Sequence, residues 1–213
     1  WQPDDQTTQS ENWLDRWILS RLNSTLHLIN THMQAYQLNL VVPPLLDFIE
    51  DLTNGYIRLN RQRFWSENMT QDKSDAYATL HHVLTTLTTM MAPFTPFLSE
   101  VIFQALTKLH PGESMPESVH LSSYPKPKEQ QSDAKLEQAV HAMQQVILLG
   151  RQKRNEVKIK VKTPLSNLTI IHQDQTLLET IKVLEPVIKK ELNVKAVTYD
   201  TNESAYVTLS AKP

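Results

Sequence analysis

Apolar residues recur at helical spacing from the start of the chain. Leu14, Trp17, Ile18, Leu22, Leu26 and Ile29 predict a helix from about Glu11 to Met33. A second is expected to open at Pro43-Pro44, where proline suits a first turn, and to run to about Glu67. DKSDAYATLHHVLTTLTTMM predicts a third, capped by Asp72 or Ser74, which must end or bend at Pro93. Pro96 opens a fourth, PFLSEVIFQALTKL. The stretch HPGESMPESVHLSSYPKPKEQQ (110–131) is rich in Pro and Ser and reads as a long surface connection. A fifth helix spans about Asp133 to Asn155.

Beyond it the period changes from helical to alternating. KIKVK (158–162) and LTII (168–171) read as strands. TLLETIKVLEPVIKKEL (176–192) reads as a helix interrupted by Pro186, and AVTYD (196–200) and AYVTL (205–209) are again strand-like. The expected fold is mainly α: a helical bundle over residues 1–155, then a small α+β domain over 156–213.

Composition narrows the chemistry. Three glycines cannot build a P-loop or a dinucleotide fingerprint, and neither spacing occurs. With no cysteine, a disulfide scaffold, a thiolate metal site and a cysteine nucleophile are excluded, and a reducing compartment is expected. No apolar run approaches the ~20 residues of a membrane span. The start, WQPDDQTTQSEN, lacks an initiator Met and a signal-peptide pattern, as expected of a piece of a longer chain.

No catalytic or metal constellation stands out. His81 and His82 are adjacent, so on a helix they diverge and cannot share a metal as an i,i+4 pair would. His27 and His32 fit packing or surface roles, and no serine lies in a G-x-S-x-G elbow.

Charge is more informative. The net of −2 hides an asymmetry, with −6 over residues 1–150 and +4 over 151–213. No Lys or Arg lies between Leu22 and Ile57; then NGYIRLNRQRFWSE (54–67) brings Arg58, Arg61 and Arg63 among Tyr56, Phe64 and Trp65. On a helical wheel Leu45, Leu46, Phe48, Ile49, Leu52, Tyr56, Ile57, Leu59 and Phe64 share the core face. Asp47, Asp51, Asn54, Arg58, Arg61 and Trp65 take the opposite side. Arg63 falls with the apolar set, so Tyr56, Arg63 and Phe64 are expected to be structural. Two readings of the outer face remain open. Either its charges only complement the helix macrodipole, or Arg58, Arg61 and Trp65 form a platform for phosphates and a base. A second basic stretch, GRQKRNEVKIKVKTPL (150–165), sets Arg151, Lys153, Arg154, Lys158, Lys160 and Lys162 against one Glu156. Arg151, Arg154, Lys158, Lys160 and Lys162 are its candidate RNA contacts.

Several segments carry a family resemblance. LDRWILSRLNS (14–24), DFIEDLTNGYIRLNRQRFW (47–65), AYATLHHVLTTLTTMMAPFTPFLSEVIFQAL (76–106) and SVHLSSYP (118–125) resemble the C-terminal helical region of isoleucyl-tRNA synthetases. So do GRQKRNEVKIKVKTPLSNLTIIHQD (150–174) and KKELNVKAV (189–197), nearest to the eukaryotic and archaeal branch with its bacterial members. The resemblance implies an anticodon-binding bundle of the class I synthetase type, followed by an α+β junction domain. It implies a partner, isoleucine tRNA, held by its anticodon stem-loop in the cytoplasm, with no membrane or DNA partner. It also implies that catalytic and editing domains precede this region, so ATP with magnesium belongs there and no cofactor or catalytic residue here. Neither ATP-site signature, HIGH or KMSKS, occurs in the chain. The alternative is a helical scaffold or protein-interaction module that braces a catalytic body without touching RNA. One position departs from the family's usual N-W-Y-I-R: Gly55 stands for the tryptophan, removing any contact that ring would make.

Overall fold

The computed structural model describes residues 10–109, 116–128, 132–203 and 206. It forms two compact units that divide between Asp133 and Ala134. The expected boundary at 155/156 is therefore displaced, because the fifth long helix packs on the elements that follow it.

In the first unit, α1 (Trp13–Gln34) is capped by Asn12, whose side chain accepts from the Leu14 amide at 3.0 Å. It buries Trp17, Ile18, Leu22, Leu26 and Ile29, the stripe expected from spacing. α2 (Val42–Glu50) carries its proline in the first turn and continues as a π-helical turn, Asp51–Ile57. After Asn60 comes the short α3 (Arg61–Phe64). α4 (Gln71–Met91) is capped by Thr70, which accepts from the Lys73 amide at 3.2 Å; neither Asp72 nor Ser74 has that role. α5 (Pro96–Thr107) opens on its proline as expected. α1 packs on α2 and α4, and α4 on α5.

The π turn corrects the helical wheel. Its wider i→i+5 rings advance the chain by less than the ~100° of an α-helix, so later residues lag behind their expected angle. Ile57, placed with the core by the wheel, is 37% exposed, while Asn60 is buried. Leu46, at the rim of the expected apolar face, is also exposed. Within the turn Gly55 is buried, and Thr53 Oγ1 donates back to the Ile49 carbonyl at 2.8 Å.

In the second unit, α6 (Ala134–Glu156) packs on α7 (Gln175–Lys182) and α8 (Glu185–Leu192). The break between these last two falls at Val183-Leu184, just before Pro186 in the first turn of α8. β1 (Leu165–Ile171) and β2 (Val194–Asp200) pair in parallel, with Thr169 opposite Thr198. Ile170, Leu178, Ile181, Ile188, Leu192 and Val194 are buried.

KIKVK is not a strand. α6 ends in a Schellman cap, the Ile159 amide donating to the Arg154 carbonyl at 2.9 Å and the Lys158 amide to the Asn155 carbonyl at 3.1 Å. Lys158 therefore takes the left-handed conformation, φ 57°, and the segment to Pro164 is irregular. Alternation of charge and aliphatic residue signalled exposure here, not pleating. Of the expected strand AYVTL only Tyr206 is described; the rest lies outside the described residues.

Candidate nucleic-acid interface

The cluster around NGYIRLNRQRFWSE separates into an inner and an outer set. Inside, Asp15 is fully buried and meets Arg63 through Nη1 at 2.8 Å and Nη2 at 2.7 Å. Tyr56 donates its hydroxyl to the same carboxylate at 2.6 Å, as Ser10 does at 2.6 Å. Arg63 Nε reaches Asp72 at 2.7 Å. Burial disfavours the guanidinium's charge, and Asp15 and Asp72 more than offset this, so its pKa is raised. Burial, with Asp15, also pushes up the Tyr56 hydroxyl. Phe64 lies between rings, 6.1 Å from Tyr56 edge-on and 5.5 Å from Tyr77. Tyr56, Arg63 and Phe64 thus tie α1, the π turn, α3 and α4 together.

Outside, Arg58, Arg61 and Trp65 are exposed, Trp65 by 73%. Arg61 and Trp65 sit one helical turn apart, and the guanidinium carbon lies 4.5 Å from the ring centroid. Arg58 donates Nε to the Asn54 carbonyl at 2.7 Å, which lays its guanidinium along the helix. An indole face and the Arg61 cation share one outward surface, with Arg58 exposed three residues before Arg61.

The second basic stretch divides differently. Arg154 is 4% exposed. Its Nη1 donates to the carbonyls of Lys160 at 3.0 Å and Thr163 at 3.1 Å, its Nη2 to those of Leu192 at 2.7 Å and Asn193 at 3.3 Å. It is a structural pin, and its expected place among the RNA contacts is withdrawn. Arg151 is half-exposed and paired with Glu191 at 2.5 Å. Lys158, Lys160 and Lys162 are exposed. Sequence reasoning missed Asn193, whose Nδ2 donates to the carbonyls of Val161 at 3.0 Å and Lys162 at 3.1 Å. Its left-handed φ of 50° is common for asparagine, and the chain's only cue was an Asn just after a helical run.

Among the described residues no group of three or more His, Asp or Glu could hold a metal, and no helix is long and apolar enough to cross a membrane. A helical unit with an outward Arg/Trp surface and a small α+β unit with an exposed lysine loop have the makings of an RNA-binding module. The family model for the anticodon-binding domain of tRNA ligases matches residues 15–170, and the chain belongs to that family. Its relatives include the isoleucine–tRNA ligase of Bdellovibrio bacteriovorus, 45% identical over 210 residues, which are 99% of this chain and 20% of that protein. The cytoplasmic isoleucine–tRNA ligase of Saccharomyces cerevisiae is 42% identical over 208 residues, 95% of this chain and 19% of the relative. That of Mus musculus is 42% identical over 210 residues, 96% of this chain and 17% of the relative. The chain thus spans about a fifth of the length of the curated relatives it matches.

Proposed function

We propose that this chain holds the anticodon stem-loop of isoleucine tRNA within a cytoplasmic isoleucine–tRNA ligase. The ATP-dependent joining of isoleucine to the tRNA 3′ end would fall to other domains, which would also hold ATP and magnesium. The observation that carries the reading is the exposed indole of Trp65 under the Arg61 guanidinium, 4.5 Å away. An unburied tryptophan contributes little to the bundle, whereas its face can stack a base while arginines meet phosphates. Family membership and relatives named as isoleucine–tRNA ligases support the choice of RNA.

The test is binding of the chain to isoleucine tRNA and to the same tRNA with an altered anticodon, over a salt series. Binding should weaken with salt and with the altered anticodon, and Trp65→Ala should cost about 1–3 kcal/mol, the usual worth of one stacked base. Binding no stronger than that of an unrelated acidic helical protein at low salt overturns the reading.

A scaffold role remains the second reading, because α5 exposes Phe97 by 88%, Leu98 by 53% and Val101 by 68%. Under it, Arg61→Ala and Trp65→Ala leave tRNA affinity unchanged.

A further inference from the structure

We propose that Lys158 occupies a glycine conformation for the sake of its charge. With Lys160 and Lys162 it would form a rigid, sequence-independent clamp on the phosphodiester backbone of the bound RNA. The proposal rests on the tRNA reading above and assigns this loop its part in it.

The first observation is conformational. Lys158 is the left-handed residue of the Schellman cap that ends α6, with φ 57°. That conformation is free for glycine and disfavoured for any residue with a Cβ. Nothing in its packing recovers the difference, since the residue is exposed. Strain of this kind persists where a side chain is kept for another purpose.

The second observation is how the loop is held. The carbonyls of Lys160, Val161, Lys162 and Thr163 all turn inward, two onto Arg154 and two onto Asn193. The Thr163 amide closes a further turn onto the Lys160 carbonyl at 3.0 Å. Peptide planes fixed on the inside leave the lysine side chains to project outward from settled positions. Such preorganisation lowers the entropy lost on binding.

The third observation is charge without compensation. No ion pair is seen for Lys158, Lys160 or Lys162 among the described residues. The neighbouring acids are taken, Glu156 by Lys153 at 2.9 Å and Glu191 by Arg151 at 2.5 Å. The side chains of residues 158–162 include no aromatic ring, carboxamide or guanidinium, so they offer no stacking platform and no planar fork, only compact point charges. Three ammonium groups on a fixed loop suit phosphates, whatever the sequence between them.

The test compares the 213-residue chain with its Lys158→Gly and Lys158→Gln variants, by thermal melting and by binding to isoleucine tRNA and an unrelated tRNA. Lys158→Gly should melt at the wild-type temperature or above it. Both variants should lose affinity about three- to tenfold near 0.1 M salt, with the slope of log K against log salt shallower by about 0.7–0.9. The loss should be equal for the two tRNAs, and Lys153→Gln, which removes a charge already paired on α6, should leave the slope unchanged. Wild-type affinity in Lys158→Gly overturns the proposal. So does a loss confined to isoleucine tRNA, or an equal loss in Lys153→Gln. If the wild-type chain binds neither RNA, the tRNA reading falls and this proposal with it; if it binds and the variants match it, only this proposal falls.

Discussion

Arg63 grips Asp15 with both terminal nitrogens, at 2.7 and 2.8 Å, across 48 positions of sequence and with the carboxylate wholly buried. Removing one member of such a pair leaves the other charged and desolvated. Asp15→Ala and Arg63→Ala should each destabilise the first unit by about 3–5 kcal/mol. In a double-mutant cycle the combined loss should be well below the sum, because the second change removes the stranded charge. Urea denaturation of the four proteins measures this, and additive losses would mean that the pair is not coupled.

Trp65, two residues on, should behave in the opposite way. Its side chain is largely in water and lies against Arg61, so Trp65→Ala should change stability by less than about 0.5 kcal/mol. The same variant is the one expected to lose RNA affinity. A large drop in denaturation midpoint would instead assign the indole to the bundle.

The helical wheel foresaw this split between Arg63 and the pair Arg61 and Trp65, because spacing along a helix carries facing directly. It failed at Ile57, since a π turn leaves no signature in the apolar period. Arg154 was illegible for a related reason. A basic run names its members by charge alone, whereas one of them turns inward to carbonyls supplied 38 and 39 residues later. KIKVK alternates as a strand does, yet the left-handed turn at Lys158 and the inward carbonyls place it in a loop. Neither a positive φ at a lysine nor a carbonyl's direction is written in residue type.

His82 gives the first unit an acid-side sensitivity. Burial lowers its pKa, and Lys128 lowers it further, so the folded chain holds it neutral where the unfolded chain protonates near ~6.5. Because the unfolded state then binds more protons, stability should be unaffected above that pH. It should decline as pH falls through it toward the lower folded value. His82→Gln should flatten the decline below about pH 6.5, measured as denaturation midpoint against pH. An unchanged slope would exclude His82 as its source.

Glu100 works in the same direction at lower pH. Hydrogen bonds from Gln104 and Ser118, with the Val119 amide, hold its carboxyl below the usual range. They fasten the turn Val119–Leu121, whose Val119 is buried with Phe103 and Ala92. This contribution is present above the unfolded value near ~4.3 and is lost as pH falls through the folded one. Glu100→Ala should therefore loosen the turn at neutral pH, read as faster amide exchange at Val119, while leaving exchange in α1 unchanged.

Gly150 offers a test of packing in the second unit, because two opposing effects meet there. Within a helix, alanine is favoured over glycine by about 1 kcal/mol. A Cβ at this position, however, would stand 2.5 Å from Leu192 Cδ1 and 2.9 Å from Cδ2. Leu192 is 1% exposed at the end of α8, so its side chain can shift only against other packed atoms and not into solvent. Overpacking of this kind costs about 1–3 kcal/mol, and Gly150→Ala should be destabilising on balance. Leu192→Ala alone should cost about 2–5 kcal/mol through the cavity it leaves. In that background the clash is gone, and adding Gly150→Ala should now stabilise, by about the 1 kcal/mol of helix preference. The reversal of sign, measured by denaturation of the two singles and the double, distinguishes a steric role for Gly150 from a need for flexibility. A flexibility requirement would make Gly150→Ala harmful in both backgrounds.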